Sequence, residues 1–98
     1  MATLYVTEFA GLYAKGNQTG QMAIMPPIAQ QTKTIGSVVS TSAFNAATNL
    51  IRVHADAICS ITVGADPTAT TAMLRLAANQ TEYFAVAPGD KLSVISNS

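Results

Sequence analysis

The side chains best placed for chemistry fall at alternate positions of one short segment: Arg52, His54 and Asp56. In a strand, residues at i, i+2 and i+4 project from the same face, so the three stand side by side. A carboxylate next to an imidazole can orient it for general-base work. A hydrolase built on that pair would need a nucleophile, and the serines at hand are Ser42 and Ser60. No enzyme motif surrounds either one. The plainer reading is a solvated or interface-facing strand surface with a salt link, and it is the one we adopt.

Other chemistries are less well supplied. His54 and Cys59 are the chain's single histidine and cysteine, short of the three or four ligands a zinc site needs. The acids Asp56, Asp66, Glu82 and Asp90 are scattered without calcium-loop spacing. Met22 and Met25 suit core or interface filling better than a soft-metal pair. Gly11, Gly16 and Gly20 match neither nucleotide-binding pattern. The aromatics Tyr5, Phe9, Tyr13, Phe44, Tyr83 and Phe84 are not interleaved with Lys or Arg, which argues against a single-strand nucleic-acid surface. The residues therefore predict no catalytic site, no cofactor and no metal.

The elements that carry these side chains read as short strands. Residues 3–9 alternate, residues 11–20 look like a loop with three glycines, and residues 21–25 form a short strand stopped by Pro26-Pro27. Two prolines confine that piece to a sheet edge or an arm on the surface. Residues 30–40 are rich in Thr, Ile and Val, with Gly36 suggesting a bulge or a bend. Residues 41–48 read as a loop around a buried Phe44. Residues 49–55 and 57–63 are two alternating runs joined by Ala55-Asp56-Ala57, either as a hairpin or as one bent strand. A polar loop over 64–71 precedes strands at 72–77, 82–87 and 91–96, with Pro88-Gly89 set for a tight turn. About eight short strands with turns between them predict a single all-β domain over residues 1–98, a β-sandwich or jelly roll. Residues 1–30 would provide extended contact arms.

Composition narrows the function further. Only 10% of the 98 residues are charged, against about 25% in ordinary domains, and the formal net charge is zero. Such a chain lacks the electrostatic footprint of a nucleic-acid binder. It also has little colloidal repulsion, which favours association. The 49% hydrophobic content argues against disorder. No run approaches the roughly 18 apolar residues of a membrane span, and the N-terminus lacks a secretory pattern, so use without export is expected. Uncharged polar strand faces suit broad contacts with other subunits, because no charge has to be desolvated.

The second half of the chain carries a resemblance. Asn45-Ala-Ala-Thr-Asn-Leu-Ile-Arg-Val-His54, Ala57-Ile-Cys-Ser-Ile61, Gly64-Ala-Asp-Pro-Thr-Ala-Thr70 and Arg75-Leu-Ala-Ala-Asn-Gln-Thr-Glu-Tyr-Phe84 resemble small β-rich virion proteins of tailed bacteriophages. The likeness covers about half of the chain and consists of strands and turns. It implies a capsid cement or decoration protein, non-enzymatic and homo-oligomeric, that stabilises the major capsid protein shell on the virion surface. Small tail, neck and head-fibre parts are similar too, as is a β-sandwich receptor or carbohydrate-binding module with Tyr13 or Tyr83 as stacking platform. The expected partner contacts are Leu4, Tyr5, Val6 and Phe9 on the N-terminal strand, and Met22, Ile24, Met25, Pro26, Pro27 and Ile28 on the proline arm.

Overall fold

Strand periodicity resolves into ten strands among the described residues of the computed structural model. Those residues are 2–15, 18–23 and 25–97, with the backbone alone described for 12–23. The strands are β1 (Thr3–Phe9), β2 (Leu12–Lys15), β3 (Gln18–Ala23), β4 (Ala29–Thr34), β5 (Val39–Ser40), β6 (Leu50–Ala55), β7 (Cys59–Gly64), β8 (Leu74–Leu76), β9 (Gln80–Ala85) and β10 (Lys91–Ser96). Eight of them build two antiparallel four-stranded sheets, ordered β4-β1-β6-β9 and β5-β10-β7-β8. The remaining pair, β2 and β3, forms a hairpin hydrogen-bonded to neither sheet.

The two sheets enclose one core, and the alternation of their strands explains it. In the first sheet Leu4 lies opposite Ala55 and Val6 opposite Val53. In the second, Val94 lies opposite Ile61, and Cys59 opposite Leu76. All eight are at most 3% exposed and belong to a single cluster with Ile35, Phe44, Ile51 and Leu92. A side chain buried to that extent contributes about 1.5–3 kcal/mol, so this inner layer is the main source of cohesion in a domain without a disulfide.

Three local features position the surfaces. The Pro88-Gly89 turn forms as its residues require: Asp90 donates its backbone N–H to the Ala87 carbonyl at 3.2 Å, and Gly89 has φ 86°, a region that glycine enters without steric cost. At Asn79 the chain takes φ 62° as it passes from β8 to β9, which Asn tolerates better than most residues. The link at residues 56–58 is neither a hairpin nor a bend within one strand. β6 and β7 belong to opposite sheets, so the link arches over the end of the sandwich, because Ala55 and Cys59 must both face the core. Likewise, the stretch read as a loop over 11–20 is largely strand, and its glycines did not reveal that pairing.

One carboxylate is fully buried on the inner side of the first sheet. Glu8 is 2% exposed and accepts hydrogen bonds from Asn45 N at 2.8 Å, Thr48 Oγ1 at 2.8 Å and Gln31 Nε2 at 3.0 Å. These bonds tie the loop over residues 41–49, with Phe44 buried in it as the sequence predicts, to β1 and β4. A buried carboxylate is tolerated when hydrogen bonds replace its hydration.

Candidate functional site

The two sheets turn very different outer faces away from the core. On the β5-β10-β7-β8 sheet, Ser93 and Ser60 point outward, between core neighbours, yet both are 0% exposed. The loop over residues 65–73 covers them as a strap. Ala69 N donates to Ser93 Oγ at 2.9 Å, Ser40 Oγ donates to the Pro67 carbonyl at 3.4 Å, and Asn97 Nδ2 donates to Ser60 Oγ at 2.7 Å and to the Thr71 carbonyl at 3.1 Å. Small hydroxyl side chains leave room for the strap and give its backbone polar partners.

The outer face of the β4-β1-β6-β9 sheet is uncovered over its middle. Register places Thr32, Tyr5, His54 and Thr81 in one row across the strands, and Gln30, Thr7, Arg52 and Tyr83 in the next. Tyr5 is 42% and Tyr83 54% exposed. At one end of the face Phe9 and Leu50 are paired and buried, and beyond the other end lies Asp56.

The polar group anticipated around His54 is therefore assembled, but around a different hydroxyl. His54 Nδ1 lies 2.7 Å from Thr81 Oγ1, and Nε2 lies 3.7 Å from Asp56 Oδ1. The Tyr5 ring sits 6.2 Å away, tilted by 46°. Ser60 is buried in the other sheet, and exposed Ser42 meets Gln31 through its backbone. A carboxylate at 3.7 Å is beyond hydrogen-bond range, and the group stands on an open face rather than in a cleft. Its geometry fixes the His54 ring between the Thr81 hydroxyl and the Tyr5 ring. Among the described residues no cluster of three His, Cys, Asp or Glu forms that could hold a metal, and no helix is long and apolar enough to cross a membrane.

The expected contact residues are divided by the fold. β1 is an interior strand, paired on both sides with β4 and β6, so it has no free edge to add to a neighbour's sheet. Leu4, Val6 and Phe9 are buried and turned to partners within the chain; of that set only Tyr5 is open to contact. On the proline arm Met25 is 69% exposed, Pro26 is exposed, and Pro27 and Ile28 are half-buried, Ile28 N donating to the Glu8 carbonyl at 2.7 Å. Ile24 lies outside the described residues, as does the side chain of Tyr13, and Met22 is described only as a backbone position in β3.

Sequence reasoning missed a groove. Where β8 and β9 leave the sandwich open, Ile61, Val63, Met73, Leu74, Phe84 and Val86 line a depression of about 400 Å³. Leu74 is 49% and Met73 39% exposed there. The signal available was the unbroken Ala-Met-Leu run at residues 72–74, which departs from strict alternation and so exposes an apolar residue.

Comparison with known protein families, curated proteins and solved structures returns no match for this chain. The likeness to phage virion proteins therefore rests on the residues quoted for it and on nothing else.

Proposed function

We propose that the chain is a non-enzymatic structural protein of a tailed-phage particle: a cement or decoration subunit that binds the major capsid protein shell as a homo-oligomer. The observation that carries the reading is the self-paired β2–β3 hairpin, which belongs to neither sheet and leads directly into the exposed Met25 and Pro26. Strands of six residues span about 20 Å, whereas the molecule measures 44 Å along its longest axis. A hairpin paired only with itself among the described residues supports the reading of an arm of the kind a shell-binding subunit extends to its neighbours. The near-absence of charge supports the same reading, since broad contacts then desolvate few ions.

A jelly roll is the finer fold reading. It is supported by the links β4 to β5, β5 to β6, β6 to β7, β8 to β9 and β9 to β10, each of which passes from one sheet to the other.

The test is stoichiometry in purified particles, because weak contacts hold a shell only through high copy number. Quantitative mass spectrometry should find copies on the order of hundreds per particle. About six or twelve copies would reassign the chain to a neck or tail position, and absence from the particle would end the proposal. Replacing residues 12–23 with a short Gly-Ser turn should release the chain from the particle while leaving the two sheets folded.

A further inference from the structure

The outer face of the β4-β1-β6-β9 sheet groups polar and aromatic side chains around one cation. Arg52 stands at its centre, half-buried, with Thr7 beside it on β1 and Tyr83 beside it on β9. The Asp56 carboxylate on this face lies 3.7 Å from His54 Nε2, and no carboxylate lies within ion-pair distance of Arg52 among the described residues. Glu8 faces the interior with its own donors, and Glu82, on the inner row of β9, accepts from Gln80 Nε2 at 2.8 Å. A guanidinium without a counter-ion, flanked by two exposed tyrosines and the hydroxyls of Thr7, Thr32 and Thr81, is complementary to a ring-shaped, hydroxyl-rich anion.

We propose that this face binds an acidic oligosaccharide, with Arg52 taking a sugar carboxylate while Tyr83 and Tyr5 stack on pyranose faces. Guanidinium and carboxylate match in a two-bond fork. Partial burial of Arg52 limits the competition from water and salt that weakens fully exposed pairs. Tyr5 and Tyr83 are two strands and two residues apart, about 12 Å at ordinary sheet spacings. That separation exceeds one sugar ring, so the ligand has several. Tyr5 is held in advance by the His54 ring, which Thr81 fixes in turn, and a preset platform loses little entropy on binding.

Two other occupants fit less well. A protein interface has an apolar centre and about 800 Å² per partner, whereas these two rows hold no aliphatic side chain. A nucleic acid needs a basic surface, and the chain is neutral. The sugar reading does not depend on the cement role.

The experiment is an NMR titration of the ¹⁵N-labelled full chain with trigalacturonate and with 3′-sialyllactose, using lactose as neutral control and hexaglutamate as peptide control. One or both acidic sugars should give saturable shifts at Tyr5, Thr7, Arg52, His54 and Tyr83, with Kd of about 1 mM, and lactose should give none. R52A should weaken binding about tenfold, and Y83A should weaken it less; both replace surface side chains, so the spectrum should stay dispersed. Silence from both acidic sugars at about 10 mM overturns the proposal. An equal response to lactose also overturns it, because the carboxylate would then be irrelevant. Tighter binding of hexaglutamate reassigns the face to an acidic protein partner.

Discussion

One sheet of this sandwich closes its outer face with its own chain, and the other leaves its outer face open. On the closed side Ser40, Ser60 and Ser93 stand among the outward positions, short enough for the 65–73 strap to lie against the strands with its own Ala69 buried at 3% exposure. On the open side the outward positions are Tyr5, Arg52, His54 and Tyr83, too large for a strap to pass at that distance. Side-chain size on the outer rows thus decides whether a sheet meets its own loop or the surroundings. The two sheets also take stability from different places. The open sheet is held from its inner side, through Glu8 and the core, whereas the strapped sheet is held from both sides.

Three perturbations probe that contrast. The largest effect is expected from Glu8→Ala, which strands the Asn45 N–H and the Thr48 hydroxyl and removes one acceptor of Gln31 Nε2. Urea denaturation should show a loss of about 3 kcal/mol, with early exchange of the amides at residues 41–49. A loss below about 1 kcal/mol would mean that the open sheet is not held from inside.

A smaller effect should follow Ser93→Val, which removes the acceptor for Ala69 N and crowds the strap. It should cost about 2 kcal/mol and speed exchange over residues 65–73. The matching change on the open face, Thr7→Val, should stay within about 0.5 kcal/mol. Equal costs would erase the distinction between the two faces.

The smallest effect is a pH dependence. Cys59 is fully buried, and burial raises its thiol pKa above the ordinary 9.0. Above that pH the unfolded chain releases a proton that the folded chain keeps, so stability is complete below about pH 9 and declines above it. Urea midpoints should be level between pH 7 and 8 and lower at pH 10, and Cys59→Ala should lose this component. A midpoint that rose at pH 10 relative to Cys59→Ala would contradict the burial of the thiol.

Much of this was legible in the residues. Thr3–Phe9 and Lys91–Ser96 alternate cleanly because each has one face in the core, and their limits were read without error. The Gly36 bend between β4 and β5, the loop after Gly64 and the turn at Gly89 were legible because Gly and Pro restrict the backbone locally. Sheet membership was not. Nothing local distinguishes a hairpin at Asp56 from an arch, since both need a short link between two alternating runs, and only the shared core decides. The hairpin of β2 and β3 was hidden because its short strands, Leu12–Lys15 and Gln18–Ala23, mix polar residues and glycine without an apolar period. Around His54, strand alternation revealed the company of Arg52, but Tyr5, Thr81 and Tyr83 arrive from other strands through register that no single segment contains.

The strap also gives the molecule a front and a back. The strapped side has no counterpart to the rows of Tyr5, Arg52, His54 and Tyr83, so a ligand that reads those side chains meets the molecule from one direction only. The serines of β5, β7 and β10, by admitting a loop where aromatics would exclude it, thus leave the fold with a single open sheet face.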